Sequence, residues 1–598
     1  MSNAAGAEVP RFRIAICTEL APRPAFLAAG GHEPRRPLRV DKVALAPLFA
    51  SIAPSISLEV ADPFAAAESV RVEVTFRETK GLKPDILAEH QAELRALTET
   101  HRLLRELREG RSSAAHLAER LPGLLTRPAW SKAVLDALSG KSAAPAASVT
   151  RAPASAAAAA PPPAEGSLSR LLDQVDLASP ADASGTPASP GVPRVSSIIA
   201  AVARGSSAPR PGAEPRQALE LVEGAYRALL AGILAHPELR RLASAWLGLR
   251  WFVDRCDFRS GVELEVACVP REDVLRTLEA WAERDEDSEE PAIDLCLVDH
   301  GVGPEDVALL ASWAAVAAQA RSPLVVTLEP KALTVDTLRG LDEAVRRAAE
   351  PVDVVDERLR TFARTDDARW VVASANGAQA RSPHVPTRGA EIPYEESADA
   401  AGADLVSPSL LVGALCAGSH TRRGWATDLH GVPGGVIEDL PLSFIVDDGE
   451  DLTIPLHALV REAAARALGR QGIAVSSCVA NRDQAMFFRV PTLHREATDE
   501  GERSTTTLGD QLFTRRLANA LDLVASAVPA SSELRAIEET AAIVLSDLFG
   551  NDRAKPELRI GVTGEPKAGE RLLTLSCTPR GFQGVSLRRV DLAARLGS

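Results

Sequence analysis

The feature that most constrains this chain is an interruption. Residues 139–165 read SGKSAAPAASVTRAPASAAAAAPPPAE, with five consecutive alanines (Ala156–Ala160) followed by three prolines (Pro161–Pro163). The stretch is nearly uncharged, and Val149 is its one large apolar residue. Such a segment buries too little surface to offset the entropy of ordering it, so it reads as a tether, semi-extended through its prolines. The alternative is a loop inside one domain, but structureless loops this long are uncommon in compact domains. The expected organisation is a small region over 1–138, a linker over 139–166, a short helix with flexible flanks over 167–217, and a larger region over 218–598. Two bodies joined this way are expected to share one interior.

The bulk numbers bound the function classes. The 598 residues suffice for several domains, and 45% apolar residues permit a sizeable core. With aromatics at only 4%, that core must be mostly Leu, Val, Ile and Ala. A net charge of −14 argues against nucleic acid or an anionic membrane as the main partner. No apolar run approaches the ~20 residues of a membrane span. The opening MSNAAGAEVPRFR lacks the apolar stretch of a signal peptide. Seven scattered cysteines with no CxxC pair fit a reducing cytoplasm and no zinc ribbon.

Before the tether, Phe12–Cys17, Ile56–Val60 and Val70–Phe76 read as strands, the last with Val70, Val72, Val74 and Phe76 alternating with polar residues. Val43–Ile52 and Ser131–Leu138 read as helices. Pro84 opens another over Asp85–Arg108, where Leu87, Leu94, Leu97, Leu104 and Leu107 form a stripe suited to packing on a helix. Just after the tether, Leu168, Leu171, Leu172 and Val175 fall at i, i+3, i+4 and i+7, one apolar face on a short helix (Ser167–Leu177). A helix that short is marginal alone, so it is either docked on its own chain or displayed for a partner to capture.

Beyond Arg204–Pro215 a long helical region spans Ala218–Leu249. Strand patterns at Val262–Val269, Ala292–Val298, Leu324–Leu328 and Trp370–Ala373 then alternate with helices at Arg271–Glu283, Glu305–Ala320 and Val335–Ala349. That alternation predicts an α/β fold, mixed or parallel sheets with flanking helices. Arg381–Asp404 reads as a long loop, Leu410–Ser419 as a helix and Arg422–Leu442 as a Gly-rich segment. Ser443–Asp447 is a strand before the turn DDGED. Then come a helix at Leu456–Leu468, strands at Ile473–Val479 and Ala485–Phe488, and helices at Leu512–Ser526 and Ser532–Leu548. Strands at Glu557–Thr563 and Arg571–Cys577 close the chain.

No constellation makes a convincing catalytic site, so neither an enzyme nor a cofactor nor a metal is expected. Gly140-Lys141-Ser142 copies the tail of a P-loop, but Leu135 stands where its first glycine belongs. Asp299-His300 ends an apolar strand, where a catalytic pair could sit, but no positioned nucleophile accompanies it, and a polar loop start is the preferred reading. His430-Gly431 and Gly434-Gly435 could cradle an anion, although such glycines more often make tight turns. The acidic run Glu283–Pro291 reads as a solvated loop.

Several stretches together resemble the two contractile-sheath proteins of type VI secretion systems. Residues 37–60 (PLRVDKVALAPLFASIAPSISLEV) and 72–87 (VEVTFRETKGLKPDIL), with Pro84-Asp85 at a helix start, look like the small, TssB/VipA-type subunit. Residues 233–251 (ILAHPELRRLASAWLGLRW), 304–332, 366–372 (DDARWVV), 424–440 (GWATDLHGVPGGVIEDL), 471–488 and 581–592 (GFQGVSLRRVDL) look like the large, TssC/VipB-type subunit. The order of the motifs carries the likeness.

The resemblance implies a structural subunit, a natural fusion of two sheath proteins. It would assemble with copies of itself into rings or a helix around an inner tube, on a baseplate. The tether would hold the two parts at high effective concentration. It implies that Leu168, Leu171, Leu172 and Val175 form the helix captured by a ClpV-type AAA+ disassembly ATPase, which favours display over docking. It also implies that the helix carrying Arg515 and Arg516 faces the inner tube. Small subunits of the family carry an extra strand that pairs into a neighbour's sheet. Here MSNAAGAEVPR, without a strand pattern, precedes Phe12. The alternative function is therefore a soluble scaffold or regulatory protein of sheath-like fold that does not polymerise.

Overall fold

The computed structural model describes residues 11–22, 37–125, 127–140, 213–287, 292–396, 404–447, 449–498, 501–529, 531–549, 555–564 and 571–596. Most of the tether and the whole 167–177 helix lie outside the described residues. The chain divides into two compact units. One comprises Met1–Val60, Ser69–Arg95 and Leu229–Ser598, the other Ala61–Glu68 and Ala96–Ala228.

The large unit is built on a nine-stranded sheet. Its strands in chain order are β1 (Phe12–Thr18), β2 (Leu38–Arg39), β3 (Val262–Cys268), β4 (Leu295–Val302), β5 (Leu324–Leu328), β6 (Val371–Ala375), β7 (Val436–Ile437), β8 (Ile473–Cys478) and β9 (Ala485–Phe487). Their spatial order is β7-β9-β8-β6-β5-β4-β1-β3-β2. The six strands from β8 to β3 run parallel, with antiparallel strands at both margins. Parallel strands need crossover helices that cover both faces, which explains why FRIAIC, LVVTL and IAVSSC read as near-continuous apolar runs.

Alternate residues serve opposite faces. Ala15, Cys17, Cys296 and Val298 point into one core with Trp281 of α2 (Val274–Asp287) and Leu310 and Trp313 of α3 (Val307–Gln319). On the other face lie α1 (Pro237–Arg255) and α4 (Pro408–Arg423). α4 comes so close that a Cβ at Gly413 would run into Leu297 and lie 3.0 Å from Phe252. Further along, α5 (Glu462–Arg470) covers β8 with Ala464, Ala465 and Leu468. The C-terminal part has its own core. Helices α6 (Leu508–Ala527) and α7 (Leu534–Phe549) back a three-stranded antiparallel sheet of β10 (Glu557–Thr563), β11 (Leu572–Thr578) and β12 (Val590–Arg595).

The α/β expectation holds, and several boundaries move for local reasons. The helical region at 218–249 splits at His236, because Pro237 cannot continue a helix but is well placed to begin one. The 85–108 stripe breaks at Gln91, which is extended, giving Pro84–His90 and Ala92–Arg108. The helix expected from Leu456 starts at Glu462. Leu456 instead makes a β-bridge with Ala378. Helix Ala114–Leu124 and strand β12 were not anticipated.

In the smaller unit Trp130 is the organising side chain. It is 1% exposed, its indole N–H donates to both carboxylate oxygens of buried Asp62 at 3.0 and 2.9 Å, and Phe64 packs on its ring. Leu117, Leu121 and Val134 complete that interior, and His101 lies 3.2 Å from Glu223.

Candidate functional site

The first described strand lies in the middle of a sheet made mostly by residues beyond the tether. β1 pairs along its full length with β3, Phe12 opposite Val262 through Thr18 opposite Cys268. Its other edge pairs with β4 from Ile14–Leu295 to Cys17–Val298. With both edges occupied and both faces buried, β1 is as enclosed as a strand can be. Ile14, Ala15, Ile16 and Cys17 are each at most 1% exposed.

Polar groups fasten the ends of this seam. Arg13, 1% exposed, donates to Glu265 at 2.5 Å and lies 3.6 Å from Glu263. The Arg13 N–H donates to Asp294 Oδ2 at 2.9 Å, and the Asp294 N–H donates back to the Arg13 carbonyl. At the other end the Thr18 hydroxyl donates to Asp299 Oδ2 at 2.9 Å, and the Trp246 indole donates to the Leu20 carbonyl. Trp246 also meets Phe49 edge-on at 4.4 Å. A second crossing involves the Pro-Asp pair at 84–85. Asp85 accepts from Thr387 at 2.7 Å and pairs with His384 at 3.0 Å. Arg381 braces that loop by holding Glu396 and Asp404.

Asp299 and His300 do not form a pair. They sit at an irregularity in β4 and bond elsewhere, Asp299 to Thr18 and Ser407, His300 to the Val269 carbonyl at 3.1 Å. Burial pushes the Asp299 carboxyl up to about 6, against the hydroxyls that donate to it. Burial pushes His300 down to about 4, so its imidazole is neutral at pH 7. Both work as hydrogen-bonding parts of the sheet's carboxyl edge.

The Gly-rich box has a packing role. A Cβ at Gly435 would collide with the Phe487 carbonyl, and one at Gly434 with Asp428. Trp425 stands in a ring cluster with Phe513, Phe549 and Phe582 at 5.3–5.5 Å. The Thr427 hydroxyl donates to the Gln583 carbonyl at 2.8 Å, and Gly509 and Gly584 let backbone close on Thr427. Asp510 caps α6 through Thr507 and also accepts from the Ser586 N–H and hydroxyl at 2.7 and 2.6 Å. The GWATD box and the GFQGVS segment therefore form one lock, though 156 residues separate Thr427 from Gln583.

Arg515 and Arg516 are engaged inside the chain. Arg515, 2% exposed, donates to the Ala320 and Arg321 carbonyls and lies 3.4 Å from Asp294. Arg516 stacks on Trp425 at 4.1 Å and donates to the Gly424 carbonyl, and burial pushes its guanidinium down to about 10. The expected basic face of α6 is thus not built from these two residues. Its solvent side shows Asn519, Asp522, Leu523 and Ser526 instead. The reason is that helix α6 packs both arginines against the carbonyl ends of neighbouring elements, where cations are favoured. The capture helix carrying Leu168, Leu171, Leu172 and Val175, and Lys141-Ser142 of the P-loop-like tail, lie outside the described residues. Among the described residues no helix is long and apolar enough to cross a membrane.

The C-terminal sheet contrasts with the seam. β11 is paired on both sides, but among the described residues β10 and β12 each pair only with β11. Its inner face is filled by Leu573, Leu575 and Cys577, and its two outer edges have no strand partner among the described residues, a template for strand addition.

Comparison with known families matches this arrangement. Residues 7–139 match the VipA family of type VI secretion systems, and residues 295–494 match VipB, a tail sheath N-terminal domain. The type VI secretion system sheath protein TssC1 of Pseudomonas aeruginosa is 22% identical over 294 residues, which cover 44% of this chain and 58% of that protein. The chain thus spans under two thirds of that relative. The two family matches lie on opposite sides of the tether and together take in more than half of the chain. In one polypeptide, then, the chain carries a stretch similar to the VipA family and, beyond the tether, a stretch similar to the VipB tail-sheath domain.

Proposed function

We propose that this protein is the structural building block of a type VI secretion-like contractile sheath, a fusion of two sheath proteins that assembles with copies of itself around an inner tube. The observation that carries the reading is β1. A strand from the VipA-matched region completes the sheet of the VipB-matched region, as obligate partners would. The open edges of β10 and β12 supply surfaces for strand addition between copies. The work is mechanical and needs no catalytic group or cofactor. The setting is the cytoplasm, with a baseplate at one end, and a ClpV-type AAA+ ATPase takes up the helix at Leu168–Val175 after contraction.

Negative-stain imaging of the purified full chain, alone and with an inner-tube protein, tests this. Rings or tubes are the expected result. A strictly monodisperse particle under both conditions would overturn assembly and leave a soluble sheath-like scaffold. Replacing Leu171 and Leu172 by Asp is expected to abolish ATPase capture, and unchanged capture would remove that partner.

A further inference from the structure

A cavity of about 570 Å³ lies at the edge of the large unit, well within the size range of small-ligand sites. Five arginines line it. Arg360 and Arg364 come from helix Glu357–Phe362 and the turn after it, Arg470 from the end of α5, Arg495 from just before the hairpin of strands Glu496–Thr498 and Gly501–Arg503, and Arg503 from the second of those strands. The facing carboxylates are Glu350, Glu357 and Glu502. Five guanidiniums against three carboxylates leave the cavity two charges positive. One of the three is already held, since Arg364 grips Glu502 with two hydrogen bonds at 2.9 and 3.1 Å.

Arg495 makes the cavity unusual. It is only 7% exposed, yet it lines the wall. Its Nη2 donates to the Glu502 carbonyl at 3.0 Å, while its Nε finds no acceptor among the described residues. Arg360 Nε is likewise without an acceptor, and Gln471 Oε1 without a donor. Leaving buried polar atoms unmatched is costly, more so on charged groups. Burial, with Arg364 and Arg360 adding like-charge repulsion, holds the Arg495 guanidinium below its usual range against the opposing pull of Glu502, 3.7 Å away. Pairing within the chain leaves the Arg495 and Arg360 Nε atoms and Gln471 Oε1 unmatched among the described residues.

We propose that this cavity binds a phosphate-class oxyanion, either inorganic or carried on a larger molecule. Planar guanidiniums offer forked donors that match tetrahedral oxyanions, and several converging on one point select a dianion over chloride. Gln471 adds the acceptor that a P–OH group or a neighbouring hydroxyl would fill. The apolar lining is confined to Pro351, Val352 and Ala467, too little for an apolar ligand. The inference is independent of sheath assembly.

Calorimetric titration of the full chain at constant ionic strength in chloride tests it, with inorganic phosphate and pyrophosphate as probes. Phosphatidic-acid vesicles and a polyglutamate peptide form separate arms. Saturable binding of either free anion, one per chain, is the expected result. Arg360→Gln should weaken it at least tenfold, and Glu357→Gln, at an exposed position, should tighten it several-fold. Vesicle binding in addition to free-anion binding would make a lipid headgroup the source. The proposal is overturned by absence of saturable binding in every phosphate arm, by binding of the peptide alone, or by both variants titrating like the wild type.

Discussion

The central sheet and the C-terminal sheet solve the same problem in opposite ways. β1 is bonded on both edges, buried on both faces, and anchored by Arg13, Thr18 and Asp294. β10 and β12 are bonded on one edge and backed on one face by α6 and α7. A strand enclosed on every side cannot be exchanged without unfolding its host. A strand with a free edge can accept another at little cost to its own fold. The difference separates a contact made once, at folding, from contacts available for assembly.

The sharpest test of that contrast is a charge placed in each sheet. Ile16→Asp would put an unpaired carboxylate in the centre of the large sheet and is expected to cost roughly 4 kcal/mol or more, enough to deplete folded protein. Ile560→Asp in β10, partly buried at the margin of the C-terminal core, is expected to cost less, about 1–2 kcal/mol. Urea unfolding of the two variants checks this, and equal losses would break the comparison.

Next in size is the buried pair at the seam. Arg13→Met takes away the guanidinium bonded to Glu265, which is 5% exposed, and should destabilise by about 3–5 kcal/mol. Adding Glu265→Leu should restore most of that loss, because the pair's own desolvation cost disappears with it. If the double variant is no better than the single one in urea melts, the seam depends on the charge pair itself.

The polar end of the seam carries a pH signature. Asp299 has a raised pKa, so the native state binds its proton more tightly than the unfolded chain, and its contribution falls as pH rises from about 4 to about 6. His300 has a lowered pKa, so the unfolded chain binds that proton more tightly, and its contribution rises between about 4 and 6.5. The two nearly cancel between pH 4 and 6. Asp299→Asn removes one side, so the variant should lose on the order of 3 kcal/mol between pH 6.5 and 4 where the wild type stays nearly flat. Denaturant midpoints across that range read the difference directly.

The smallest effect on folding concerns the free edge. Val562→Lys on β10 should cost about 1 kcal/mol, since a lysine stem can lie along the sheet with its charge in water. The same change should block strand addition between copies. Full assembly of this variant in negative stain would remove β10 from the assembly surface.

Much of this was legible in the chain. The run FRIAIC announced a strand, and the alternation beyond residue 262 announced the α/β sheet, because side-chain periodicity is a local property. The boxes at 424–440 and 581–592 could be read as motifs, but not as the two halves of one lock around Thr427 and Asp510. Arg13 left a signal, a charge inside an apolar strand with acids on offer in VELEVAC, but not its register against them. Arg515 and Arg516 could not be assigned a direction, because the sequence does not say which face of a helix other elements will cover.

What the sequence determined by itself was which segments could be strands and helices, where the composition turns to that of a tether, and the families to which the two parts are similar. Only the tertiary structure decided that β1 stands between β3 and β4, that Arg515 and Arg516 turn inward, and that arginines from four separate segments converge on one cavity. The physical reason is that pairing between residues hundreds of positions apart is set by shape and burial in three dimensions, and local periodicity holds no record of it.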